Sequence, residues 1–232
     1  MVSPHPPTPR SAGITVSCYI HIFNDTPVRL WGLSSSQRIR RELAWELSSK
    51  GKDPGRLSSD AIEFVDDLRQ VPAEGDVLLL RGDYLYDVRV TMNLIANADT
   101  LLQAIEDGAR VPVAAHTSAA AAPRVMELIR NNDRELPGDL NIETPTSIVP
   151  QSQVRLKKAH AAFVLPVNEK NRRVLEDHLF KTAYKGVTDL VTKWVWPTPA
   201  RWVTRLCVRL GLLPNHVTAL SWVLAILAGV LF

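Results

Sequence analysis

The sequence predicts a layered α/β domain with a mainly parallel sheet, followed by amphipathic helices and one apolar C-terminal helix. Three observations predict it. Short β-branched or continuously apolar runs alternate with helical patterns between about residues 14 and 165. A basic, tryptophan-containing stretch follows, with Arg201, Arg205 and Arg209 spaced by four. Finally, Val217 to Phe232 (VTALSWVLAILAGVLF) carries no charged side chain.

Composition bounds the possibilities. The chain has 232 residues, 46% hydrophobic and 22% charged, enough to bury a core, which excludes wholesale disorder. A net charge of +3 is too small to argue for nucleic acid as a partner. Cys18 and Cys207 make neither a disulfide framework nor a paired metal-ligand spacing.

The elements follow in order. Residues 1–13, with Pro4, Pro6, Pro7 and Pro9, lack the apolar run of a secretory signal and are expected to be a disordered tail. Ile14 to Phe23 (ITVSCYIHIF) reads as a strand. Ser34 with Gln37 makes a capping-box start for a helix carrying Ile39, Leu43 and Leu47 on one face, stopped at Gly51. A second short helix is expected from Asp60, capped with Glu63, through Ile62, Val65 and Leu68. Asp76 to Leu80 (DVLLL) has the continuous apolar character of a strand covered on both faces. Thr100 to Ile105 and Arg110 to His116 flank Glu106-Asp107-Gly108-Ala109, which suggests a hairpin. Pro123 opens a helix through Val125, Met126 and Ile129, and Ala161 to Val167 reads as the last strand. The α/β domain is thus expected over 14–167, amphipathic helices over 168–212 and the apolar helix over 213–232.

Chemistry in an open α/β sheet is sought beyond the carboxyl ends of its strands. The DVLLL strand delivers Arg81-Gly82-Asp83 there. Asp83 either holds a hydrated Mg²⁺ that bridges nucleotide phosphates or simply starts a turn. The loop after the first strand, Asn24 to Gly32, has one glycine, and Pro27 removes a donor, so it makes a poor phosphate cradle. His21, His116 and His160 are each isolated and read as structural, and Cys18 reads as core. No nucleophile elbow and no glycine–lysine phosphate loop is present.

The tail reads differently. Sixteen apolar residues of helix span roughly 24 Å, against the ~30 Å of hydrocarbon in a bilayer. A membrane helix and a buried core helix both remain open, and absence of charge favours the membrane. Between Lys181 and Arg209 the basic residues Lys181, Lys185, Lys193, Arg201, Arg205 and Arg209 face a single acid, Asp189. Trp194, Trp196 and Trp202 accompany them, so Trp194, Trp196, Arg201, Trp202, Arg205 and Arg209 are expected at a membrane interface, and Gly211 is expected to stop their helix. Positive charge before the helix predicts a cytoplasmic N-terminal domain. The charge-free run reaches the last residue given, so the expectation is that more sequence follows, a tail anchor being the alternative.

Tyr184 to Trp196 (YKGVTDLVTKWVW), Pro199-Ala200-Arg201, and Leu213-Pro214-Asn215-His216-Val217-Thr218 with Ser221 resemble the lead-in to the membrane domain of the CDP-alcohol phosphatidyltransferase family. The likeness covers about residues 175 to 232. It implies that Asn215 and Thr218 stand at the mouth of a substrate site. The α/β part looks like the Rossmann-like, nucleotidyltransferase-like domain that some members carry in front. There Arg29 falls at the end of the glycine loop, as a substrate-binding candidate, and Asp83 at a metal-binding position. The resemblance implies transfer of a substituted phosphate from a CDP-linked donor to an alcohol acceptor with release of CMP, in phospholipid biosynthesis. It further implies Mg²⁺ or Mn²⁺ in the full-length enzyme, lipids as partners and a possible homodimer. The family's signature, Asp-x-x-Asp-Gly-x-x-Ala-Arg, is absent, so no catalytic residue is carried over, and Asp107-Gly108-Ala109-Arg110 is only an echo of it. The rival expectation is a non-catalytic nucleotide-sensing or scaffolding module tethered to a membrane by the last helix.

Overall fold

A computed structural model describes residues 18–50, 62–133, 138–150, 161–183 and 197–231. The expected N-terminal tail, Gly51, Asp60, His160, Trp194 and Trp196 lie outside the described residues. The chain divides into two compact units, Met1–Asp25 with Ser35–Pro166 and Thr26–Ser34 with Val167–Phe232.

The first unit is built on strands β1 (Cys18–Phe23), β2 (Ile62–Val65), β3 (Asp76–Arg81), β4 (Tyr84–Tyr86), β5 (Thr100–Glu106), β6 (Ala109–Ser118), β7 (Asn141–Glu143) and β8 (Val164–Pro166). Its helices are α1 (Ser35–Lys50), α2 (Val88–Ala96), α3 (Ala122–Asn131) and the single turn α4 (Pro145–Ile148). Six strands form one sheet in the order β2-β1-β3-β6-β5-β7, and β4 pairs with β8 in a separate ribbon. The ladders β1–β2, β1–β3 and β5–β7 are parallel, while β6 runs antiparallel to both its neighbours. The expected α/β class and mainly parallel sheet are therefore present, with a hairpin inserted into it.

β3 shows why the sheet sits where it does. Val77, Leu78, Leu79 and Leu80 are each 0% exposed, so both of its faces are covered. Leu78 and Leu80 join Ile20, Ile39, Leu43, Val90 and Leu94 in one apolar layer. Val77 and Leu79 point the other way, into a layer with Leu101, Val125 and Ile129. Alternation along one strand thus feeds two cores, one on each side of the sheet. The β5–β6 connection is a two-residue turn with Asp107 at φ 48° and Gly108 at φ 80°. An Asp-Gly pair suits that turn because both residues tolerate positive φ. The echo of the catalytic signature at Asp107 to Arg110 is this hairpin turn and the start of β6.

Several expectations need correction. The helix expected from Asp60 is instead β2, followed by one 3₁₀ turn at Leu68–Gln70. Ile62 to Val65 pairs in parallel with Cys18 to His21, and a ladder outweighs a helical period supported by three apolar positions. The last strand is shorter than expected and pairs with β4, outside the main sheet. Neither β4 nor α2 was legible as such in the sequence.

Cys18 is packed at 1% exposure, with its Sγ 3.7 Å from His116 Nε2. Burial pushes its thiol up to about 12, a backbone contact from Leu78 opposing this and Asp76 reinforcing it. The thiolate is therefore scarce at ordinary pH. Native protein at pH 8 is expected to incorporate one equivalent of iodoacetamide, at half-buried Cys207, and a second only after denaturation. Peptide mass spectrometry checks this, and rapid labelling of Cys18 in native protein would contradict it.

The second unit contains α5 (Arg172–Ala183), α6 (Pro197–Arg209) and α7 (Pro214–Leu231). α6 ends as expected at Gly211, which stands at φ 67°. The Leu212 N–H donates to the Cys207 carbonyl and the Gly211 N–H to the Val208 carbonyl, the paired bonds of a glycine-terminated helix. α7 has 18 residues, about 27 Å of helix, with Pro214 opening its first turn. Among the described residues, no helix is long and apolar enough to cross a membrane.

Candidate functional site

The strand order places a crevice. From β1 the chain moves to one side to form β2 and then returns across β1 to form β3. This reversal lies between the parallel neighbours β1 and β3, and ligands in open α/β sheets favour the carboxyl ends at such a point. Phe23 pairs with Arg81 at those ends, so Asn24-Asp25 and Gly82-Asp83 leave the sheet side by side.

The two loops touch closely. The Gly82 N–H donates to the Phe23 carbonyl at 2.6 Å, and a Cβ on Gly82 would stand 2.8 Å from Asp25 Cα. Asp25 is exposed, and its Oδ2 accepts a 2.6 Å hydrogen bond from the Ser36 hydroxyl in the first turn of α1. Asp83 is held by Arg81, whose Nε donates to Oδ1 at 2.9 Å and whose second nitrogen donates to Oδ2 at 2.7 Å. The remaining terminal nitrogen donates to Asn132 Oδ1 at 2.6 Å. Asn132 ends α3 in the left-handed region at φ 55°, which turns its side chain back toward the sheet edge. The Arg81 guanidinium also lies 4.8 Å from the centre of the Tyr84 ring. Burial opposes its charge, but hydrogen bonds and attraction from Asp83 outweigh burial, and the guanidinium is held above its ordinary value.

This geometry decides what the crevice can hold. Both Asp83 oxygens are spent on a fork-shaped cation, and Asp25 engages Ser36. As arranged, the two carboxylates do not fit the requirements of a Mg²⁺ or Mn²⁺ site. Among the described residues, no group of three or more His, Cys, Asp or Glu is placed to hold a metal ion. Of the two expectations for Asp83, the turn is what the structure shows, between β3 and β4, and there its carboxylate is the counter-ion of a buried arginine.

The other expected residues belong to the second unit. Arg29 is exposed in the Thr26–Ser34 loop, between buried Val28 and Leu30. The backbone N–H groups of Val28, Leu30, Trp31 and Leu33 in that loop are used within the unit. Leu30 and Leu33 exchange N–H···O bonds, and the Trp31 N–H donates to Glu176 Oε1 at 3.4 Å. The Trp31 indole N–H donates to the Glu176 carbonyl at 3.0 Å, and its ring packs near Phe180. The single glycine, Gly32 at φ 80°, allows a tight approach to Val208, which a Cβ would meet at 3.3 Å. The loop therefore anchors on α5 and α6, and its glycine serves packing. Asn215 and Thr218 are both exposed near the start of α7, three residues apart and so on one side of it.

α6 carries a second finding. Arg201 and Arg205, expected to face lipid, meet acids of α5. Arg201 lies 3.3 Å from Asp177, and Arg205 lies 3.4 Å from Asp177 and 3.8 Å from Glu176. Arg201 also stacks over Phe180 at 5.1 Å and Arg205 over Trp31 at 5.6 Å. Trp202 and Arg209 are exposed, as an interface role requires. Sequence reasoning missed Glu176 and Asp177 because only tertiary packing joins them to arginines some 25 residues later. It also missed Asp25, although its place two residues after β1 was the available signal.

Comparison with models of known protein families finds no match, and no curated protein matches the sequence.

Proposed function

We propose that this chain is the front portion of an integral-membrane CDP-alcohol phosphotransferase, with its α/β unit on the cytoplasmic side of a cell membrane. The observation that carries the reading is the α6–Gly211–α7 arrangement. A basic, tryptophan-bearing helix ends in a glycine turn, and Pro214-Asn215-x-x-Thr218 then opens an apolar helix whose side chains are exposed and free of Asp, Glu, Lys and Arg. As described, α7 is about 27 Å long and falls short of a crossing helix, so local bilayer thinning is required to accommodate it.

In the proposed reaction an acceptor hydroxyl attacks the phosphorus of a CDP-linked donor. A new P–O bond forms, the bond to CMP breaks, and the hydroxyl proton passes to a carboxylate. The divalent ions that would bridge the donor pyrophosphate belong with the aspartate-rich signature, which this sequence lacks. Asn215 and Thr218 would face the mouth of that site, and Arg29 is a weaker substrate contact. The α/β unit is read as a scaffold with no catalytic role, which the engagement of Asp83 with Arg81 favours.

Two measurements test this. The purified chain is expected to release no CMP from a CDP-diacylglycerol donor with Mn²⁺ and glycerol phosphate or inositol phosphate. The coding sequence beyond Phe232 is expected to supply the Asp-x-x-Asp-Gly-x-x-Ala-Arg signature and further apolar spans. CMP release by this chain, or a continuation lacking both features, would overturn the reading.

A further inference from the structure

Amphipathic helices at membranes ordinarily turn cations toward anionic headgroups. α6 is arranged the other way round. Arg201 and Arg205, one turn apart, point to Glu176 and Asp177 of α5. The opposite stripe is outward, with Trp202 76%, Val203 56%, Leu206 56% and Leu210 64% exposed. Of the charged residues of α6, Arg209 alone shares that exposed side, in the last turn, where a cation complements the helix dipole and can reach past an apolar surface. The stripe continues into exposed Leu212 and Leu213 and then into α7.

We infer that α6 lies on the membrane by this apolar stripe, and that neutral lipid suffices for it because α5 neutralises the arginine face from within. The inference rests on the membrane reading above and adds the lipid chemistry. The occupant is a bilayer surface, argued from continuity with the charge-free α7 and from the position of the ion pairs. An indole with three aliphatic side chains matches the boundary between headgroups and acyl chains. Asp177 takes one guanidinium nitrogen from each arginine and Glu176 stands beside Arg205, so the charge that would draw lipid phosphate is offset by carboxylates of the same unit. Glu176 further accepts from the Trp31 N–H and lies 3.6 Å from Arg172, so that acid is held in place from its own side.

The test uses the full chain carrying Cys207→Ser and Leu206→Cys, spin-labelled at position 206, with buried Cys18 unreactive. Val203→Cys on the same stripe serves as the second variant. The chain is floated with vesicles of phosphatidylcholine alone or with about a third phosphatidylglycerol, a fraction large enough to register surface charge. Oxygen and nickel-chelate accessibility then report label depth. The label is expected to reach the acyl boundary in both vesicles at the same depth. Glu176→Gln with Asp177→Asn, which releases the arginines, is expected to create a preference for the anionic vesicles of up to about 30-fold. The inference fails if the label reaches acyl depth only with anionic lipid, if it stays in water on vesicle-bound protein, or if the α5 variant gains no such preference. Protein that floats with neither vesicle removes the membrane reading itself, and this inference with it.

Discussion

Asp83→Ala is expected to lower the stability of the α/β unit by about 3 kcal/mol, because it leaves the Arg81 guanidinium buried without its carboxylate. The side chains of Arg81 and Asp83 are only 9% and 26% exposed, so water does little to replace the lost partner. Asn132 alone remains, accepting one of the five donors. Urea denaturation followed by far-ultraviolet circular dichroism measures the change. Asp83→Asn keeps an acceptor and is expected to lose less. A metal-binding role predicts a different pattern. If CTP with Mg²⁺ stabilises the native chain strongly and the effect vanishes in Asp83→Ala, then Asp83 is a cation ligand and the scaffold reading is wrong. The expected outcome is no Mg²⁺-dependent stabilisation in either protein.

Gly82→Ala is the second large effect, expected to cost about 2–3 kcal/mol by overpacking. A Cβ there stands 2.8 Å from Asp25 Cα and 3.0 Å from its Oδ1. The obstacle is backbone, which cannot rotate aside as a side chain would. Gly82 cannot retreat either, since its N–H is bonded to Phe23 at 2.6 Å. Gly108→Ala is the control. Nothing lies within 4 Å of its Cβ position, and its φ of 80° carries only the backbone cost of about 1–2 kcal/mol. Equal losses at both sites would mean that the β1 and β3 loops are not pressed together.

Legibility followed the range of the interactions. β3 and the β5–β6 hairpin declared themselves through local signals, a continuous apolar run and an Asp-Gly turn. α3 and the end of α6 did so through Pro123 and Gly211. β2 misled because Ile62, Val65 and Leu68 fit a helical face over only seven residues. Its true partner, β1, lies some forty positions earlier. The three-residue strand β4 went unread because it forms only against β8, about eighty residues later, whereas β8 lies inside the expected Ala161 to Val167 strand and only its partner was hidden. The Arg81–Asp83 pair was within reach, since only Gly82 separates the two residues in the turn that ends β3. The turn of Arg201 and Arg205 onto α5 was not, because a basic helical face fits lipid phosphate and protein carboxylate equally well.

The Thr26–Ser34 segment has a consequence for biosynthesis. Trp31 and its partner Glu176 are 145 positions apart, so the loop leaves the ribosome long before the helix it grips. At ordinary rates of translation that delay is roughly 7–30 s. Throughout it, Val28, Leu30 and Trp31 lack their C-terminal partners, an early hydrophobic segment waiting on a late one. Nascent chains arrested before Glu176 should therefore recruit a chaperone at this short stretch, and release it once α5 has emerged.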